Sequence, residues 1–338
     1  MNLANKYRPK CWDDVVEQDE IKKILKHQLE TNDIRNAYLF VGGAGTGKTT
    51  CARIFANELN EGKGNAIEID GASNNGVDNV RDISQQAYTA STTSKYKVFI
   101  VDECHMVTIQ GWNAMLKLIE EPPANTIFIF CTTNPEKVPK TILSRVQRYD
   151  FSRITRTGII TNLISILVKE GIVEYDVAGV EYLAKLADGH MRDAITMMDK
   201  CLSYGKIEYN NITKALGLCY HEQLKDLMLA VINSDDSNIV KIIEDIYLQG
   251  NDLNQFIKQE LIFALDYSKW RILKDMKYCV CPDFCKEWFE NMNVDSNKLS
   301  HFINTILKSI DIIKYDDKVK TTIEAILLLE SSHMKGEI

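Results

Sequence analysis

Gly42-Gly43-Ala44-Gly45-Thr46-Gly47-Lys48-Thr49 follows directly on the apolar run AYLFV at 37–41. The octet fits G-x4-G-K-[ST], a loop whose glycines let backbone N–H groups turn inward and converge on phosphate oxygens. The helix that follows would add its positive end to the same spot. On this reading Lys48 neutralises the β and γ phosphates of ATP, and the Thr49 hydroxyl ligates Mg²⁺. The plainer alternative, a glycine-rich turn with no ligand, fits less well. A buried strand precedes the loop and a helix-like segment, 49–60, follows it.

Further along, Val98-Phe99-Ile100-Val101 is a second apolar strand, and it ends in Asp102-Glu103. Parallel sheets bind ligands at their strand tips, so Asp102 is placed to hold Mg²⁺ and Glu103 to polarise an attacking water. Taken alone, two acids after a strand are more often a solvated strand end; it is the pairing with the loop that makes them a site. Strand-like runs also occupy 66–69 and 126–131 (TIFIFC). Residues 20–29 place Ile21, Ile24, Leu25 and Leu29 on one helical stripe. Trp112, Met115, Leu116 and Ile119 line another helix, stopped by Pro122-Pro123. Strand and helix in alternation, with apolar strands, predict a parallel sheet covered on both faces.

After about Phe151 the strand signals stop. The pattern is helical from 156 to 216, broken at Gly171, Gly189 and Gly205, and helical again from about 218. Leu299, Phe302, Ile303, Ile306 and Ile310 make one stripe. The segment 323–329 (IEAILLL) is apolar nearly all round, which predicts burial on several sides. The expected architecture is an α/β P-loop domain over 1–155, a small helical domain over 156–217 and an all-helical domain over 218–338.

The 338 residues, 45% of them hydrophobic and 26% charged, suit a water-soluble protein of two or three domains. No signal-peptide core and no membrane-spanning apolar stretch is present, which predicts a cytoplasmic protein without membrane contact. A net charge of −7 argues against a generally DNA-coating surface but allows a local basic groove. Nine scattered cysteines in such a chain are expected to be reduced and mostly buried. Cys279, Cys281 and Cys285 cluster, with His301 a candidate fourth zinc ligand. Their first spacing is shorter than zinc sites use, so packed thiols are the favoured reading.

In order and spacing the motifs resemble one AAA+ family, the gamma/tau ATPase subunit of bacterial DNA polymerase III clamp loaders. The resemblance runs through Lys6-Tyr7-Arg8-Pro9, the phosphate loop, Ile69–Asp78 (IDGASNNGVD) and Asp102-Glu103-Cys104-His105-Met106. It continues through 113–123 (NAMLKLIEEPP), 132–134, Ile142-Leu143-Ser144-Arg145 and Gly189-His190-Met191-Arg192-Asp193-Ala194. It implies that Tyr7, Arg8, Pro9, Val15 and Val16 surround the adenine and that Thr50, just past the loop, joins the nucleotide contacts. It makes Thr133 the γ-phosphate sensor, Arg192 a second sensor carried by a helical lid, and Arg145 an arginine finger reaching a neighbouring subunit's ATP. Read by themselves, these are a strand-end hydroxyl, a surface arginine and an ordinary salt-bridge partner. The resemblance also implies backbone contacts to primer–template DNA around Asn74, Asn75, Arg81 and Thr108. Implied partners are further clamp-loader subunits in a hetero-oligomeric ring and the sliding clamp; the last helical domain would form the oligomeric collar.

Three features depart from the family pattern. The four-cysteine zinc module after the loop's helix is absent, because Leu59 runs through NEGKGN (60–65) into the next strand. The family's Ser-Arg-Cys reads Ser144-Arg145-Val146. The chain resembles the short form, without the long extension of tau. Alternatives of other kinds are a branch-migration motor or helicase loader, and a scaffold subunit with little hydrolysis. Retention of Lys48, Asp102 and Glu103 speaks against the scaffold.

Overall fold

The computed structural model describes residues 2–74, 76–89 and 94–336, apart from the side chains of Val77 and Asp78. Five strands, β1 (Ala37–Gly42), β2 (Ile67–Asp70), β3 (Lys97–Asp102), β4 (Thr126–Thr132) and β5 (Gln147–Phe151), form one sheet. Their order is β2-β3-β4-β1-β5, and every neighbouring pair is parallel. Side chains along a strand alternate between faces, and here both faces are apolar. Tyr38, Phe40, Ile100 and Ile129 face one layer with Leu25 and Phe55. Leu39, Val41, Phe99, Phe128 and Phe130 face the other with Ile83, Trp112 and Met115. The helices Asp19–Thr31 and Lys48–Leu59 supply the first cover, Val77–Tyr88 and Ile109–Glu120 the second. Each fully buried side chain of this size contributes about 2–3 kcal/mol of transfer free energy, so the centre of the sheet is its most rigid part. Register sets Asp70 beside Asp102, and the tips of β1, β3 and β4 share one edge.

Four details differ from the sequence expectation. β5 is a fifth strand that the apolar runs do not reveal: QRYDF buries only Tyr149 and Phe151. It is an edge strand paired with β1 alone, so half its side chains stay in water. β2 begins and ends one residue later than expected. In Asp19–Thr31 the buried positions are Ile21, Leu25 and Gln28, while Ile24 is 46% exposed. Gln28 earns its place by donating to Gln147 Oε1 at 3.0 Å. Finally, 323–329 is not buried all round. Ile323 and Leu327 are buried, and the stripe continues into Glu330 and Ser331, while Leu329 is 61% exposed. One helix face meets the core, with Leu328 packed partly against it, while Leu329 points to solvent.

The chain divides into two compact units, one of residues 1–162 with 187–196, the other of 163–186 with 197–338. The second is entirely helical. Leu227, Phe256, Phe263, Phe289, Phe302 and Ile306 lie in one core of it, and the stripe expected at 299–310 packs there. Among the described residues no helix is long and apolar enough to cross a membrane.

His221 is buried in this second unit among Tyr182, Tyr209, Phe263 and Phe284. The Tyr209 hydroxyl accepts from the His221 backbone N–H at 3.0 Å and lies 2.8 Å from Nδ1. Burial, helped by the Lys185 charge, lowers the His221 pKa to about 4. Below the unfolded value near 6.5 the unfolded chain takes up a proton that the folded chain refuses. This contribution to stability is complete above that pH and is lost as pH falls towards 4, by about 3 kcal/mol at 1.36 kcal/mol per pKa unit. Glu260, buried with its pKa pushed up by desolvation, acts with the opposite sign, so the comparison must be differential. Denaturant unfolding at pH 7 and pH 4.5 is expected to show a smaller acid loss in His221→Gln than in the wild type. Equal losses would remove His221 from the account.

Candidate nucleotide site

The loop between β1 and the helix Lys48–Leu59 turns through two left-handed glycines, Gly45 (φ +66°) and Gly47 (φ +101°). Gly47 is the residue on which the helix starts. A Cβ on Gly45 would lie 3.3 Å from the Arg192 backbone nitrogen, so a side chain there would meet both strain and a neighbour. Lys48 is 6% exposed, and its ammonium donates to the carbonyls of Gly42 at 2.9 Å and Gly43 at 2.7 Å. Burial lowers its pKa, while Cys131, Glu103 and Asp102 act in the opposite direction. The Thr46 hydroxyl donates to Gly43 O at 2.9 Å, which closes the loop on itself.

At the β3 tip, Asp102 Oδ2 accepts from the Thr49 hydroxyl at 2.8 Å, and Oδ1 accepts from the Glu103 N–H at 3.0 Å. A hydroxyl and a carboxylate in contact form the hard-oxygen pair that Mg²⁺ takes up, so these residues fit that ion. Glu103 holds a left-handed backbone, φ 45° and ψ 42°, costly by about 1–3 kcal/mol for a residue with a Cβ. The strained backbone sets the side chain at the β3 tip. Its Oε2 is buried, has no hydrogen-bond partner among the described residues, and lies 3.3 Å from His105 Nδ1. That ring nitrogen is also 3.1 Å from Thr132 Oγ1 at the β4 tip. His105 is thus a neighbour of the expected base that the sequence reading assigned no role. Thr133, next along, donates to Asn134 Oδ1 at 2.8 Å.

An open cleft lies beside the loop. It is lined by Tyr7, Arg8, Pro9, Val15 and Val16, by the run Gly45–Thr50, and by Met191, Arg192 and Ile195. The expected adenine and loop residues therefore share one cleft with Arg192, and Gly42, Gly43 and Ala44 sit behind it. Arg8 Nε donates to Thr50 Oγ1 at 3.3 Å. Its pKa is lowered by burial and by the nearby charges of Arg53 and Arg192, so the cleft gathers positive charge. The segment 187–196 is tied to the loop, since Met191 N donates to Gly45 O at 3.2 Å. Gln18 forms a second tie: it is 6% exposed, left-handed at φ 58°, and bonded through Nε2 to Ser152 O at 2.8 Å. No sequence signal marks Gln18, because its role exists only once β5 is in place.

Arg145 does not line the cleft. Its guanidinium pairs with Glu120 at 2.6 Å and donates to Thr141 O at 2.7 Å. Of the DNA candidates, Asn74 turns back on Asp70 O through its N–H at 2.9 Å and its Nδ2 at 3.1 Å. The Thr108 hydroxyl caps the helix Ile109–Glu120, accepting from Gly111 N at 3.1 Å. Arg81 is exposed on Val77–Tyr88, and Asn75 lies outside the described residues. All nine cysteines are free, and all but Cys11 are buried. His301, the candidate fourth ligand, is not with them, in line with the favoured reading of packed thiols: it groups with Glu330 and His333, and Cys279 and Cys281 group with Asp266. Helix packing, invisible in the linear spacing, sends His301 to a different neighbour.

A parallel P-loop sheet with helices on both faces, two acids at the β3 tip and an arginine-bearing segment over the loop define the AAA+ class. RuvB of Thermotoga maritima, a Holliday junction branch migration motor, has the same fold, with a TM-score of 0.53 at 21% identity over 66% of this chain and 79% of that one. Residues 66–155 match the family "DNA polymerase III, delta subunit", and residues 158–207 match "DNA polymerase III clamp loader subunit, ATPase lid domain". DNA polymerase III subunit tau of Bacillus subtilis is 32% identical across 99% of this chain and 64% of its own length. Subunit gamma of Buchnera aphidicola is 34% identical across 74% of this chain and 75% of its own. The chain belongs to the DNA polymerase III gamma/tau family. It spans 64% of the Bacillus relative and 49% of the gamma/tau subunit of Mycobacterium bovis.

Proposed function

We propose that this protein is the ATPase subunit of a DNA polymerase III clamp loader, using ATP to place a sliding clamp on primed DNA in the cytoplasm. The observation that carries the proposal is the Thr49–Asp102 contact at 2.8 Å beside the unpartnered Glu103 oxygen, next to a cleft shared by Tyr7 and Arg192. When ATP enters, the Lys48 ammonium leaves the loop carbonyls for the β and γ phosphates. Thr49 and Asp102 would hold Mg²⁺, which would supply charge neutralisation for the phosphates. Glu103 takes the proton of the attacking water, and Thr133 and Arg192 hold the γ-phosphate in line. Tyr7, Arg8, Pro9, Val15 and Val16 enclose the base.

Arg145 acts on the ATP of a neighbouring subunit, which makes turnover depend on assembly. The partners are other clamp-loader subunits in a ring, the clamp, and primer–template DNA held through its backbone near Asn74, Asn75, Arg81 and Thr108. Functionally the chain divides into an ATPase domain over 1–155, a lid over 156–217 and a collar over 218–338. The match of 158–207 to a clamp-loader lid family supports this division.

The test is ATP turnover by the protein reconstituted with its companion subunits. Clamp and primed duplex together are expected to raise the rate well above either alone. A rate indifferent to both would exclude clamp loading while leaving the nucleotide site intact.

A further inference from the structure

Two helices of the second unit, Ser296–Ile313 and Val319–Lys335, pack side by side. His301 comes from the first, and Glu330 and His333 come from the second. A ring nitrogen of each histidine and a carboxylate oxygen of Glu330 all lie within 4.8 Å of one another. The imidazoles face each other with centroids 4.9 Å apart. Glu330 is only 9% exposed. Its Oε2 accepts from the Thr305 hydroxyl at 2.7 Å, while its Oε1 is buried with no hydrogen-bond partner among the described residues. A buried carboxylate oxygen with nothing to bond costs about 1–3 kcal/mol, more when charged, so its retention beside two imidazoles calls for a partner.

We infer that His301, Glu330 and His333 form a binding site for a divalent transition-metal ion of the zinc class. Two neutral imidazoles and one carboxylate are the donor set that zinc, cobalt and nickel prefer, whereas magnesium and calcium take all-oxygen sets. Donors about 2.1 Å from a tetrahedral zinc are about 3.4 Å apart, against separations here of at most 4.8 Å. The Glu330-x-x-His333 spacing puts both groups on one helix face. Thr305 holds one carboxylate oxygen and leaves the other for the ion, the kind of outer support that metal sites use. His333 stands in the last turn of its helix, where the dipole favours a cation. The two histidines are exposed, so the ion enters from solvent, and three protein donors leave a further position for water. Bound there, the ion clips the end of Val319–Lys335 to Ser296–Ile313.

The test uses the full chain after removal of metal by chelator, titrated with Co²⁺ and then with Zn²⁺ in competition. One equivalent of Co²⁺ is expected to give visible d–d bands without a thiolate-to-cobalt charge-transfer band, which separates this site from Cys279, Cys281 and Cys285. His301→Ala and His333→Ala are each expected to weaken binding by about 100-fold, and Glu330→Gln by about 10-fold or more. Zn²⁺ is expected to raise the unfolding temperature of the wild type by several degrees and that of His301→Ala not at all. Because His301 is exposed, its alanine variant keeps the fold. Affinity unchanged by both histidine substitutions, or a spectrum dominated by thiolate ligation, would overturn the assignment.

Discussion

Lys48→Ala is expected to weaken ATP binding by at least about 100-fold, the largest single effect at the nucleotide site. Its ammonium is buried and already makes two charge-assisted bonds, at 2.9 Å and 2.7 Å, to the carbonyls of Gly42 and Gly43. Moving those bonds to phosphate oxygens replaces neutral acceptors with charged ones, and hydrogen bonds to charged groups contribute about 1.5–3 kcal/mol each. Losing two of them is about 3–6 kcal/mol, or about 10²–10⁴ in Kd. Alanine at the first position of Lys48–Leu59 favours the helix, so the fold survives and calorimetric titration with Mg-ATP reads binding alone. Glu103→Gln is the complementary variant. It removes the base and leaves the loop untouched, so ATP still binds while turnover falls by about 10²–10⁴. A Lys48→Ala chain that held ATP within threefold of wild type would end the P-loop account.

Arg145→Ala carries the second large effect, and its signature is where the loss occurs. The guanidinium is paired with Glu120 at 2.6 Å and does not line its own chain's cleft, so ATP binding by the isolated protein is expected to be unchanged. In the assembled loader, turnover stimulated by clamp and primed DNA is expected to fall by about 10³ or more, the lower end of what arginine fingers supply elsewhere. Arg145→Lys should recover little of it, because a point charge cannot repeat the planar fork that reaches two phosphate oxygens. Glu120→Gln separates a finger from a structural salt bridge. Freeing the arginine should leave stimulated turnover intact or raise it, whereas a purely structural pair would respond alike to loss of either partner. Unchanged stimulated turnover in Arg145→Ala would remove the finger.

Parts of this protein were legible before any coordinates. The loop at 42–49 and the acids at 102–103 come from local rules: phosphate cradling needs glycines at fixed spacing, and an apolar strand delivers whatever residue ends it to the sheet edge. The three apolar strands β1, β3 and β4 were readable because burial on both faces leaves no polar interruption. β5 was hidden for the opposite reason: an edge strand exposes alternate residues, and QRYDF carries too few apolar positions to announce itself. Gln28, outside the expected stripe, is buried where its amide meets Gln147 of β5, a partner more than a hundred residues away.

The sequence alone determined the local form of the proposed nucleotide site, since a glycine loop, Lys48, Thr49 and two strand-end acids follow from short-range geometry. Only the tertiary structure decided the neighbours. It set His105 beside Glu103, drew Gln18 to Ser152, parked Arg145 on Glu120, and sent His301 away from the cysteines to meet Glu330 and His333. The physical reason is range. Loop and strand-end geometry follows from torsions over a few residues, whereas a side chain's partner across a helix pair or a sheet depends on how whole elements pack. No spacing along the chain encodes that packing.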